Sequence, residues 1–193
     1  MLTIVLRPLF VLFLFSVLTG VVYPLFITGL GQSFFPRQAN GSLLWQGGKP
    51  VGSELIAQPF SKARYFQGRP SAVDQITANS GASNYGPTSA KLMDSLKERI
   101  AAVVRSNPLA DKENLPADLV LTSGSGLDPH LSPKAALLQA DRIARARRIT
   151  KESVIALITK NVEQKQAGFL GAERVNVLKL NLALDAMKGA VDE

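Results

Sequence analysis

The reactive side chains of this sequence gather in its second half. Ser123-Gly124-Ser125-Gly126 is followed closely by Asp128 and by His130, the only histidine in the chain. A hydroxyl, an imidazole and a carboxylate are the parts of a base-activated nucleophile, so an anchored hydrolase using Ser125 and His130 is one reading. The surrounding pattern speaks against it. A nucleophile elbow centred on Ser125 requires glycine at position 123, which is serine. A phosphate-binding loop of the Walker type requires Gly-Lys-Ser/Thr after its glycines, and none follows. One histidine and no cysteine could build a zinc site only by recruiting several carboxylates. The run therefore reads as a strand-to-helix connection, or as a loop whose backbone N–H groups meet an anion or a partner. Asp128 is expected to cap a helix and His130 to serve a turn or an interface. No residue is assigned to bond chemistry, and no metal site is expected.

Basic residues form the second group. Arg142, Arg145, Arg147 and Arg148 crowd the end of one expected helix, where cations complement the negative end of the macrodipole. Their excess points to lipid headgroups or an acidic partner surface. Arg64 and Arg69, interleaved with Tyr65 and Phe66, read as anchors of a partner interface rather than as core. The net charge is +7, and all the acidic residues follow the first apolar run. Nucleic acid would also use basic and aromatic groups, but an exported domain does not meet it.

These residues need elements to position them. No charge occurs between Arg7 and Arg37, and Leu9 to Leu30 would make a helix about 33 Å long, enough to cross a bilayer core. The run is too long for a cleaved signal, and Gly29-Leu30-Gly31-Gln32-Ser33 is a poor cleavage site. Residues 1–35 thus read as an uncleaved anchor and 36–193 as one extracytoplasmic domain. Ser16, Gly20, Pro24 and Thr28 recur every four residues, a stripe of small or weakly polar groups suited to docking on partner helices. Beyond the anchor, Ser42–Gln46 and Val51–Gln58 suggest a hairpin around Gly47-Gly48. Residues 59–87, rich in Gly, Pro, Ser and Asn, suggest an ordered, working loop.

Helical faces follow at Leu92, Leu96, Ile100, Val103 and Val104, with Thr88 or Ser89 as cap. Another opens at Ser132-Pro133 and runs to about Arg148, and a third is capped by Thr150, with Val154, Ile158 and Val162 inward. Leu119–Leu121 reads as a short strand, and the alternation of Leu178, Leu180, Leu182 and Leu184 as a longer one. The fold class is α+β: one transmembrane helix plus a domain with a small sheet and packed helices.

Several blocks resemble the KdpC family, the C subunit of the bacterial high-affinity potassium-transporting P-type ATPase. They include Gly20-Val21-Val22-Tyr23-Pro24-Leu25, Phe35-Pro36-Arg37-Gln38-Ala39-Asn40-Gly41-Ser42 and Tyr65-Phe66-Gln67-Gly68-Arg69-Pro70. They continue through Ser80 to Pro87, Ser123 to Arg147, Gly168-Phe169-Leu170-Gly171 and Val175 to Leu184, in order and at family spacing. Ala90, where the family often has proline, is a small departure. The resemblance implies a single-pass subunit of the bacterial inner membrane with a periplasmic domain. It implies two partners, a channel-like potassium-translocating subunit and a P-type ATPase subunit that hydrolyses ATP. Implied roles are assembly and stabilisation of that complex and raising the ATPase subunit's affinity for ATP. For the latter the family points to a glutamine that corresponds to Gln139, near Ser123 and Ser125; no cofactor of the subunit's own is implied. A membrane-anchored binding or sensor module is the alternative.

The reading makes a topological prediction. A reporter fused after residue 187 is active only in its exported form; activity of a cytoplasmic reporter at that position would refute it.

Overall fold

With no charge between Arg7 and Arg37, only glycine and proline can interrupt the first helix. The computed structural model describes residues 2–76 and 78–187, in two compact units, Met1–Val51 and Gly52–Glu193. In the first, α1 (Leu2–Val17), a π-helical turn (Leu18–Val22) and α2 (Tyr23–Phe34) are continuous. The stretch Thr3–Phe34 is long and apolar enough to cross a membrane, and none of it is buried in the protein. The π turn precedes Pro24, which has no N–H to donate and crowds the preceding turn. There the Tyr23 N–H reaches back to the Leu18 carbonyl, one residue further than in an α-helix. A short helix α3 (Pro36–Ala39) follows, tied to the end of α2 by paired amides of Gln32 and Asn40. Then β1 (Leu43–Gln46) and β2 (Lys49–Ser53) form the expected hairpin, turning at Gly47 and Gly48, both with positive φ. The second strand ends at Ser53 rather than Gln58.

In the second unit, the 59–87 stretch has no helix or strand among its described residues. It leads to α4 (Ala90–Ser106), which is amphipathic, although none of its residues is fully buried. Ser89 stands at its N-cap without a side-chain capping bond. The core forms around α5 (Pro133–Arg147), α6 (Lys151–Lys160) and α7 (Val177–Asp185). Ser132 caps α5 by accepting from the Ala135 N–H, with Pro133 at the first helical position, and Thr150 caps α6 in the same manner. A three-stranded antiparallel sheet, β3 (His130–Leu131), β5 (Arg174–Asn176) and β4 (Val162–Glu163), is ordered β3-β5-β4. Leu131 and Val162 both pair with Val175 at its centre. Phe66, Ile143, Val154, Ile158, Val175, Leu180 and Leu184 are almost wholly buried together.

Three expectations are corrected. Leu119 closes a 3₁₀ turn (Ala117–Leu119) and no strand forms at 119–121. Val162 lies in β4, not on the α6 face. The alternating leucines form α7, a helix. Asn176 caps it through the Lys179 N–H, and Val177, Leu180, Asn181 and Leu184 fall on its buried side at helical spacing. Over so few residues, leucine at every second position satisfies both periods; the polar Asn181, buried in between, belongs to the helical one.

Mutation separates the two geometries. In a strand Leu180 and Leu182 would share one face; in α7 Leu180 is buried and Leu182 only half-buried. Leu180→Ala is expected to destabilise by about 2–5 kcal/mol, and Leu182→Ala by clearly less. Chemical denaturation of the full chain in detergent, followed by near-UV circular dichroism, reads both; equal losses would favour the strand.

Candidate functional site

Residues 63–67 leave a turn, closed by the Tyr65 N–H on the Lys62 carbonyl, and run irregularly past the buried Phe66, so their remaining backbone polar groups need partners. Side chains supply them. The Phe66 N–H donates to Asn181 Oδ1 at 2.9 Å and Asn181 Nδ2 donates to the Phe66 carbonyl at 3.0 Å. The next residue repeats the motif. The Gln67 N–H donates to Gln139 Oε1 at 2.9 Å, and Gln139 Nε2 returns a bond to the Gln67 carbonyl at 3.0 Å. α7 and α5 thus each clamp one residue of the loop with a side-chain amide.

Gln139 has nothing left to offer a ligand. Its Oε1 also accepts from Arg142, its Nε2 also donates to the Ala135 carbonyl, and an amide has two donors and two good acceptor positions. The residue is 2% exposed. Ser123 is equally buried, at 1%. Its N–H donates to the Pro70 carbonyl, and its hydroxyl lies 3.3 Å from that of the exposed Ser125. The N–H groups of Leu127 and Asp128, which an anion would need, turn to the two serine hydroxyls. Gly126, at φ +72, lets this loop press on residues 71–81: a Cβ there would come within 2.5 Å of Val73 and 2.8 Å of the Gly81 carbonyl.

The arginine cluster divides. Arg145 pairs with Asp141 on the surface, and Arg148, in the left-handed conformation, ends α5. Arg142 and Arg147 are buried, contrary to the reading of the whole cluster as a headgroup or partner surface. Arg142 donates to the carbonyls of Ala63 and Tyr65 and to Asn107 Oδ1; burial alone pushes its pKa downward. Arg147 donates to the carbonyls of Arg64 and Leu184 and to Asp185, with its guanidinium 5.0 Å from the centre of the Tyr65 ring. The Tyr65 hydroxyl donates to the same Asp185.

The interface expected at Arg64, Tyr65, Phe66 and Arg69 is thus corrected at Phe66, which is 0% exposed and part of the core. Tyr65 is half-buried among Phe60, Arg64 and Arg147. Arg69 pairs with Asp128 at 2.9 Å and donates to the Thr122 carbonyl. These aromatic and basic groups bind their own chain because the loop folds inward.

Asp128 caps no helix, against expectation. It takes the His130 backbone N–H at 3.0 Å and Arg69 at 2.9 Å, with His130 Nδ1 at 3.3 Å. His130 Nε2 lies 3.9 Å from Glu163, which also holds Arg174 and Lys179. The imidazole faces carboxylates on both sides while the serines bond within their own loop, so the parts of a triad are not assembled. Among the described residues no cluster of His, Asp and Glu is placed to hold a metal. Glu163, Asn181 and Asp118, which takes both the N–H and the hydroxyl of Ser132, escaped the sequence reading. Only Asn181 left a signal, as the one amide within a leucine run.

In the first unit Ser16, Gly20, Pro24 and Thr28 are all exposed. Over this span an uninterrupted α-helix would rotate the stripe by roughly 120°. The extra residue of the π turn cancels one step, leaving about 20°, since eleven α-helical residues nearly complete three turns. The four positions therefore share one side.

The architecture is one helix long and apolar enough to cross a bilayer, and a unit of mixed helix and small sheet. The chain belongs to the KdpC family: the family model described as "K+-transporting ATPase, c chain" matches residues 5–186. A potassium-transporting ATPase KdpC subunit of Methylococcus capsulatus is 51% identical over 183 residues, 93% of this chain and 96% of the relative. The subunit of the same name from Caldanaerobacter subterraneus is 49% identical over 170 residues, 88% of each chain.

The ion pairs make acid stability testable. The hydrogen bond from the His130 side chain, then the His130 N–H and Arg69, hold the Asp128 carboxyl down at about 2 against the opposing effect of burial. A depressed folded-state pKa stabilises fully above the unfolded value, near 4, and that stability is lost as pH falls toward 2. With the carboxylate about one-third exposed, about 1–2 kcal/mol is at stake. Asp128→Asn is expected to be less stable than the native chain at pH 5–7, with the gap narrowing between about pH 4 and 2. Urea titrations of the full chain in detergent across that range measure it.

Proposed function

We propose that this chain is the accessory, non-catalytic subunit of an ATP-driven potassium uptake complex, and that it works by assembling and stabilising that complex. Its helix spans the bacterial inner membrane once and its second unit lies in the periplasm. Its partners are a channel-like potassium-translocating subunit and the P-type ATPase subunit that hydrolyses ATP. The relatives' name, subunit of a potassium-transporting ATPase, supports the partnership. The observation that carries assembly over ligand chemistry is the saturation of Gln139: all four of its hydrogen-bonding positions are filled from within the fold. The raised ATP affinity that the family resemblance implies would require this amide to give up the N–H and carbonyl of the partly buried Gln67, which is costly. The surface offered outward is the stripe in the membrane helix, where small side chains admit a neighbouring helix closely.

Gly20 tests this cleanly. A Cβ there meets nothing within 4 Å, so Gly20→Leu leaves the chain itself undisturbed. It is expected to lower recovery of the complex from mild detergent, whereas Leu14→Ile on the opposite face is not. The native chain is expected to bind ATP no more tightly than about millimolar, and Gln139→Ala to lower complex recovery without changing that affinity. Equal recovery for all variants, or micromolar and salt-resistant ATP binding abolished by Gln139→Ala, would refute the proposal.

A further inference from the structure

The first acidic residue of this chain is Glu54, so the whole first unit carries only positive side-chain charge, from Arg7, Arg37 and Lys49. Two of these cations follow the long helix, and both are exposed. Between and beside them stand large apolar groups open to solvent: Phe34 is 71% exposed, Phe35 61% and Trp45 62%. Alternation along β1 turns Leu43 and Trp45 to the same face, and Leu43 is also exposed. In water such a face is unfavourable.

We propose that residues 34–49 dock on the bilayer surface itself. Trp45 and Leu43 sit at the boundary between headgroups and acyl chains, and Arg37 and Lys49 face anionic lipid phosphates. The inference rests on the reading that Thr3–Phe34 crosses a membrane, and it adds a lipid contact to the protein contacts of the stripe. Continuity with that helix is the first argument. Phe34 is its last residue, and the segment after it is held at the helix end rather than trailing from it. The Phe35 N–H donates to the Gly31 carbonyl, the amides of Gln32 and Asn40 pair, and the Ser42 N–H donates to the Arg37 carbonyl just before β1 begins. The hairpin therefore starts close behind the end of the membrane-competent helix.

Charge is the second argument. An acid-free segment with two exposed cations complements anionic headgroups and meets no repulsion from carboxylates of its own. Side-chain type is the third: indole combines an apolar body with one N–H donor, which suits the wet edge of a membrane, and aromatic and basic residues flank spanning helices there.

Trp45 is the only tryptophan in the chain and reports on its own surroundings. The full chain is reconstituted into vesicles of phosphatidylcholine, with or without phosphatidylglycerol, whose acyl chains carry bromine near the headgroup. Blue-shifted Trp45 emission and quenching by bromine are expected, with stronger quenching when the anionic lipid is present. Arg37→Gln with Lys49→Gln is expected to lose that increment, as is added salt, while the double variant stays integrated. Water-like emission without bromine quenching would overturn the proposal. So would a Trp45 that is shielded only in the assembled complex and remains unquenched by bromolipid, since a protein partner would then cover the face. Release of the chain by alkaline carbonate would remove the membrane-helix reading, and the docking with it.

Discussion

The second unit depends on how the backbone polar groups of residues 63–67 are satisfied where the loop carries Phe66 into the core. Ordinarily a buried segment joins a sheet and exchanges bonds with a neighbouring strand. Here the side-chain amides of Asn181 and Gln139 take that role, while Arg142 and Arg147 take the carbonyls of Ala63, Arg64 and Tyr65. An unpaired buried N–H or carbonyl costs about 1–3 kcal/mol, so none of these four side chains is replaceable by an apolar one of similar size without leaving a group orphaned. The clamp admits the Phe66 ring to the core, and with it a loop of irregular backbone becomes a structural wall.

Buried cations follow from the same constraint. Arginine carries five donors in a rigid fork and can serve several carbonyls at once, which no neutral side chain does. Arg147 finds an anion in Asp185, 2.6 Å away, and a ring face in Tyr65. Arg142 is held by neutral oxygens, including Gln139 Oε1 at 2.7 Å. That bond couples two of α5's holds on the loop. The amide that clamps Gln67 is itself oriented by the arginine that holds Ala63 and Tyr65. The ion pair of Arg69 with Asp128 extends the fastening to the Ser/Gly loop and, through His130, to the edge of the sheet.

Function is distributed accordingly. The second unit turns Gln139, Asn181, Arg142 and Arg147 inward onto its own backbone. The first unit does the opposite, exposing an apolar helix with a small-residue side and, beyond it, aromatic and basic groups. The π turn belongs to both its chemistry and its geometry: it accommodates Pro24 and keeps Ser16, Gly20, Pro24 and Thr28 on one side.

The membrane-competent helix, the caps at Ser132 and Thr150 and the irregular 59–87 stretch were all legible in the sequence. Each rests on local physics: an uninterrupted apolar run, an oxygen within reach of free N–H groups, and a composition unable to form regular ladders. The leucines at 178–184 read as a strand by sequence because a short run of one residue type fits two periods, and only packing around Asn181 chooses between them. The arginines and Tyr65–Phe66 were assigned outward on composition, which favours basic and aromatic residues at interfaces and in buried clamps alike. Direction is a tertiary property. Whether Gln139 meets a ligand or a backbone depends on residue 67, distant in sequence, and no spacing within α5 encodes that encounter.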